Sequence, residues 1–216
     1  MLNQIQVGPV PSQSLPDGQI YTALSGKAGE TIVADLHGKF YTQTYRGNTF
    51  IGSTAAAGVA LPVYSGTAMT FGLWNPSGNT KNASILYANL GVATVGTPVV
   101  ATIGLAYTGS AGSAIGTAAP ISAFTAGTPV SALLGGGTVS TMKFTPSAAT
   151  LTTAPTWLMN LGLSQESATA GTGIFSANYA FDGTLVLTPG NAIWFVGTAA
   201  PGQTFNVTMV WEEIPV

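Results

Sequence analysis

Phe205, Val207, Met209 and Trp211 alternate with Thr204, Asn206, Thr208 and Val210 near the end of the chain. A two-residue period of this kind belongs to a β-strand with one face turned to a core. Runs rich in β-branched and aromatic residues, each bounded by turn residues, recur from residue 31 onward. They predict strands over 31–36, 39–45, 49–51, 59–64, 69–74, 83–92, 99–107, 138–144, 151–163, 173–181, 184–188, 192–196 and 204–211. Within 83–92 the alternation places Ile85, Tyr87 and Asn89 on one face, and Leu86, Ala88 and Leu90 on the other. No window joins a 3.6-residue period to capping residues, so no helix is expected.

Two segments break the pattern. Residues 1–18 carry Pro9, Pro11, Pro16 and Gly18 among polar residues, which predicts an extended N-terminal arm. Residues 108–137 are rich in Gly, Ala, Ser, Thr and Pro and predict long loops, with a short strand near 121–124. The remainder, 19–216, reads as a single domain. Many short strands separated by turn signals predict an all-β fold, an antiparallel β-sandwich with long Gly/Ala-rich loops.

Composition changes the picture in one respect. Only 6% of the 216 residues are charged, 5 basic and 7 acidic, while 46% are hydrophobic. An ordinary soluble domain carries roughly a quarter charged residues. A compact monomer of this size exposes roughly 9,000 Å², so its twelve charges stand about one per 750 Å². So sparse a surface predicts cover by copies of the chain or by a larger assembly. Gly, Thr, Ser and Pro interrupt every apolar run before the ~20 residues of a membrane helix, so no membrane partner is expected. Met1-Leu2-Asn3-Gln4-Ile5-Gln6 has neither the basic start nor the apolar centre of an export leader. Lys27, Lys39, Arg46, Lys81 and Lys143 are scattered and the net charge is −2, which argues against nucleic acid. There are no cysteines, hence no thiol chemistry.

Candidate chemistry is scarce. His37 follows Asp35 at strand spacing, a pair able to orient a general base, but no serine stands in a nucleophile-elbow context to complete a triad. The acids Asp17, Glu30, Asp35, Glu166, Asp182, Glu212 and Glu213 are dispersed, and the adjacent pair Glu212-Glu213 points to opposite strand faces. The stretch 109–112 is Gly-rich but lacks the Lys of a phosphate loop. Asn82 and Asn206 match glycosylation sequons but read as strand residues. Trp74, Trp157, Trp194 and Trp211 suit core or subunit packing, with sugar stacking as the rival role. No catalytic, cofactor-binding or metal residue is assigned, and the chain is not expected to be an enzyme.

Two turn motifs carry a family likeness. One is Phe71-Gly72-Leu73-Trp74-Asn75-Pro76-Ser77-Gly78-Asn79-Thr80-Lys81-Asn82-Ala83. The other joins Leu187-Thr188-Pro189-Gly190-Asn191-Ala192-Ile193-Trp194-Phe195 to Val210-Trp211-Glu212-Glu213-Ile214-Pro215 by way of Gly197–Gly202. Over roughly residues 59–216 the chain resembles small structural proteins of tailed bacteriophages, jelly rolls of the tumour-necrosis-factor-like kind. The resemblance implies a jelly-roll virion protein, assembled in the host cytoplasm. Its role would be a homotrimeric capsid decoration (cement) protein that binds the major capsid protein and stabilises the shell. The alternative it leaves open is a tail-tip or fibre-head module that binds a host glycan. In physical terms Asn75-Pro76-Ser77-Gly78 and Thr188-Pro189-Gly190-Asn191 are tight turns, the second of type II.

Overall fold

In the computed structural model the described residues are 4–6, 20–22, 38–96, 99–109, 121–136, 138–164 and 176–216. The chain divides into two compact units, Met1–Tyr45 and Arg46–Val216. In the first, β1 (Gln4–Gln6) pairs antiparallel with β2 (Ile20–Thr22). The rest of the expected arm lies outside the described residues, as do the strand expected over 31–36 and the Asp35–His37 pair.

The segment expected as a strand over 39–45 is instead a short helix, α1 (Tyr41–Tyr45). Its apolar and aromatic positions fall at a spacing of four, and the Tyr41 and Tyr45 rings stack 6.1 Å apart. The Tyr41 amide donates to Gly38 O and the Thr44 amide to Phe40 O, so the backbone is satisfied locally without a neighbouring strand.

The second unit is all-β. Its strands are β3 (Thr49–Ser53), β4 (Val59–Ala60), β5 (Ala68–Met69), β6 (Gly72–Trp74), β7 (Lys81–Thr94), β8 (Ala101–Thr108) and β9 (Ile121–Phe124). There follow β10 (Val130–Ser131), β11 (Lys143–Thr145), β12 (Ala149–Leu151), β13 (Thr156–Ser164), β14 (Ser176–Leu187), β15 (Ala192–Gly197) and β16 (Thr204–Pro215). One sheet has the order β10-β3-β16-β7-β14, with β4 also on β16. A second has the order β11-β6-β15-β8-β13, and a third β5-β12-β9. Every strand pair is antiparallel.

The first two sheets form a sandwich. Phe50, Ile85, Leu90, Phe205, Val207, Met209 and Trp211 of one face Leu73, Ile103, Leu105, Ile193 and Phe195 of the other. The row Phe205, Val207, Met209, Trp211 is fully buried, as its alternation predicts. A second apolar cluster lies on the far side of β15: Ala192, Trp194 and Val196 pack against Met69, Ala149 and Leu151 of the three-stranded sheet. The middle sheet is therefore covered on both faces, and all six residues of β15 are buried.

Several expected strands are divided or joined. The 59–64 run keeps only β4 and an isolated bridge from Val63 to Gly197, because Pro62 has no amide to give a ladder. The 69–74 run splits into β5 and β6 as the chain passes from the third sheet to the second. The 151–163 run divides at Thr152–Pro155 into β12 and β13. The 138–144 run begins its ladder only at Lys143. Conversely, 173–181 and 184–188 meet in one strand, β14, whose register shifts between Ala180 and Leu185. Asp182 at φ 51° and Gly183 at φ 85° lie in that bulge and kink the strand. In β7 the facing also differs from expectation. Trp211 pairs with Ile85 and Val210 with Tyr87, so Leu86 is an extra residue. Parity flips across it, and Ile85 joins Ala88 and Leu90 in the core while Tyr87 turns outward to donate to Asn178 Oδ1 at 2.7 Å.

Candidate functional site

The two turn motifs meet in space around Asn75, which is fully buried. Its backbone amide donates to Asn191 O at 2.9 Å, and its carbonyl accepts from the Gly190 amide at 2.8 Å. Its side-chain Nδ2 donates to Lys81 O and to Leu187 O, both at 2.9 Å. Asn191 closes its own turn by donating from Nδ2 to Thr188 Oγ1 at 2.9 Å. Gly190 has φ 90°, the conformation that a type II turn requires at its third residue. One asparagine thus ties the β6–β7 turn to the β14–β15 turn. The residues that carry the family likeness form a structural lock, not a ligand loop.

The two adjacent acids diverge as strand geometry requires. Glu213 points in, and its carboxylate accepts from Ser140 Oγ, Thr141 N and Thr141 Oγ1 and pairs with Lys81 Nζ at 3.2 Å. This clamp holds 140–142 as a loop and explains why the 138–144 ladder starts late. Burial by itself would raise the Glu213 pKa. The Ser140, Thr141 and Lys81 hydrogen bonds and the Lys81 charge outweigh it and hold the carboxyl below its ordinary value. Glu212 lies on the opposite face between Thr49 and Ser84, where it too is buried, and that burial pushes its pKa up. Asn82 and Asn206 are ladder residues on β7 and β16. Among the described residues no group of three or more His, Cys, Asp or Glu could hold a metal ion, and no helix is long and apolar enough to cross a membrane. Gly109 is described but 110–112 are not.

The four tryptophans separate clearly. Trp211 and Trp194 are fully buried, one in each apolar cluster, and Trp194 Nε1 donates to Thr108 Oγ1 at 3.0 Å. Trp74 is half-buried against Phe124, ring centroids 5.5 Å apart. Trp157, on β13, lines an open depression on the outer face of the middle sheet.

An apolar margin lies where the sandwich is open, between edge strands β13 and β14. A cavity of about 390 Å³ there is lined by Ile85, Tyr107, Leu158, Leu185 and Val186 among others, and a neighbouring one of about 320 Å³ by Leu158, Met159, Tyr179 and Phe181. Among the described residues no charged side chain lines either cavity. Leu158, Leu163, Tyr179 and Val186 remain 37–54% exposed along this margin. Sequence reasoning missed it because each residue reads locally as an ordinary strand position. The missed signal was Leu158, an apolar residue in the otherwise polar row Thr156, Asn160, Gly162, Ser164, opposite the apolar row Trp157, Met159, Leu161, Leu163.

No family model matches the chain, and no curated protein or solved structure matches it either.

Proposed function

We propose that the chain is a structural subunit of a bacteriophage particle, a jelly-roll decoration protein that acts as a homotrimer on the major capsid protein and stabilises the shell. The observation that carries the self-assembly reading is the apolar margin between β13 and β14, whose two cavities are lined by no charged side chain among the described residues. A patch of this kind on a surface with so few charges favours a surface of like chemistry, and a second copy of the chain supplies it. The bulge at Asp182-Gly183 twists the β14 edge and opposes open-ended strand addition, which favours a closed oligomer held by side chains. Strand order supports the jelly roll. The orders β3-β16-β7-β14 and β6-β15-β8-β13 set the pairs β3/β6, β16/β15, β7/β8 and β14/β13 at matching positions in the two sheets. Assignment to a virion, the number three and the capsid partner come from the resemblance of the turn motifs. The function is then mechanical: apolar contact at about 25 cal/mol per Å², less the cost of association, resists separation of neighbouring capsid subunits.

Light scattering on the purified chain tests the reading. The expected mass is that of three chains at micromolar concentration, and Leu158→Asp with Val186→Asp reduces it to one chain while the melting transition persists. A wild-type monomer, or a trimer indifferent to both substitutions, overturns it. Copy number per particle separates a decoration protein, present in hundreds, from a tail-tip module present in a few.

A further inference from the structure

Trp157 stands on a built platform. The register of β13 against β8 shifts between Trp157 and Met159, so Leu158 is an extra residue. Without that bulge Trp157 and Asn160, three apart, point to opposite faces. With it both point outward. The indole lies close over the β8 backbone at Gly104, where a Cβ would meet the ring at Cη2, 2.8 Å away. Tyr64 meets the indole edge-on, with centroids 5.4 Å apart and an interplanar angle of 78°. The Tyr64 loop is fastened by its own amide, which donates to Gly197 O at 3.0 Å. Thr102 and Thr198 complete the wall: the Thr102 amide donates to Thr198 Oγ1 at 3.0 Å, and the Thr198 amide donates to Thr102 O at 2.9 Å. These five side chains line a depression of about 320 Å³.

The polar groups point to one ligand chemistry. Trp157 Nε1 donates to Asn160 Oδ1 at 3.1 Å, which fixes the amide orientation and turns Nδ2 toward solvent as a donor. The Tyr64 phenol, 38% exposed as a residue, and the two threonine hydroxyls both donate and accept. Among the described residues no charged side chain lines the depression, so none there compensates an anion or a cation. The absence of a basic lining also disfavours a nucleotide, which needs its phosphate neutralised. What fits is a neutral molecule with one apolar face and a rim of hydroxyls. We propose that this depression binds a neutral hexopyranose of a glycan, its C–H face on the Trp157 indole and its hydroxyls on Asn160, Thr102 and Thr198. The site lies on the middle sheet and its existence is independent of the trimer reading.

The test is titration of the full chain with four probes at millimolar concentration: the methyl glycosides of glucose, galactose, mannose and N-acetylglucosamine. Tryptophan fluorescence and saturation-transfer NMR are the readouts. At least one probe is expected to give a saturable change. Trp157→Ala is expected to weaken that binding by roughly tenfold or more, since the stacking surface is gone. Asn160→Ala removes only the amide and is expected to weaken it roughly three- to tenfold, with the melting temperature unchanged. It keeps the proposal falsifiable where Trp157→Ala fails to fold. Absence of a saturable response to all four sugars overturns the proposal. So does binding that Asn160→Ala leaves intact.

Discussion

Asn75→Asp separates hydrogen bonding from packing at the lock between the two turns. Asn75 is fully buried, and its Nδ2 serves two carbonyls, those of Lys81 and Leu187. Asn75→Ala leaves both without that donor. A buried acceptor left unpaired costs about 1–3 kcal/mol. Against this, Asn75 Oδ1 is already buried without a partner, and the substitution removes that penalty. Two such acceptors less one relieved penalty leave a loss of about 1–3 kcal/mol. Asn75→Asp keeps the shape but loses the donors and sets a carboxylate oxygen against two carbonyl oxygens. At neutral pH it is expected to be worse than alanine, which a packing role alone does not predict. Equilibrium urea unfolding followed by tryptophan fluorescence measures both variants, at one fixed chain concentration because association would shift the midpoint. An Asn75→Asp chain within about 0.5 kcal/mol of the parent, at an unchanged slope, refutes the lock, since that lies below even the smaller loss expected of alanine.

Trp211→Ala is expected to cost about 3–5 kcal/mol in the same assay, since the side chain is fully buried in the sandwich core. Trp211→Phe is expected to cost less, because the indole Nε1 has no hydrogen-bond partner to lose; equal losses would contradict that account. The adjacent acids have opposite pH signatures. The Glu213 carboxyl is lowered by its partners, so its contribution is present at neutral pH and is lost as pH falls through and below the ordinary carboxylate range. The Glu212 carboxyl is raised, so its charged form costs stability at neutral pH and protonation restores it on acidification. Glu213→Gln is therefore expected to flatten the acid limb of a stability–pH curve. Glu212→Gln is expected to stabilise the chain at neutral pH, with the gain vanishing in acid. Parallel curves for the two variants would refute the assignment.

Strand identity was legible wherever local alternation coincides with one buried face, as in 204–211. It was also legible in the two turns, whose Pro-Gly and Asn-Pro chemistry is local. The errors of facing and register share one physical origin: a bulge is a property of a pair of strands. Leu86 in β7, Leu158 in β13 and Asp182-Gly183 in β14 each shift parity or direction, and nothing in their own segment announces it. The 39–45 run failed differently. Its aromatic residues suit a strand, yet a single turn of helix satisfies the backbone without a partner.

The sequence was enough to establish an all-β chain, a charge-poor surface, and the inward row that ends at Trp211, because those follow from composition and from a two-residue period. The strand over 192–196 was legible too, but its burial on both faces was not. Which sheets provide that burial depends on long-range pairing. So do the two turns that converge on Asn75, the carboxylate of Glu213 closing over 140–142, and the bulge that brings Trp157 and Asn160 to one side. Each joins residues distant in the chain or displaced by a register shift, and register is an energy summed over whole sheets. No local pattern of hydrophobic and polar residues encodes that sum.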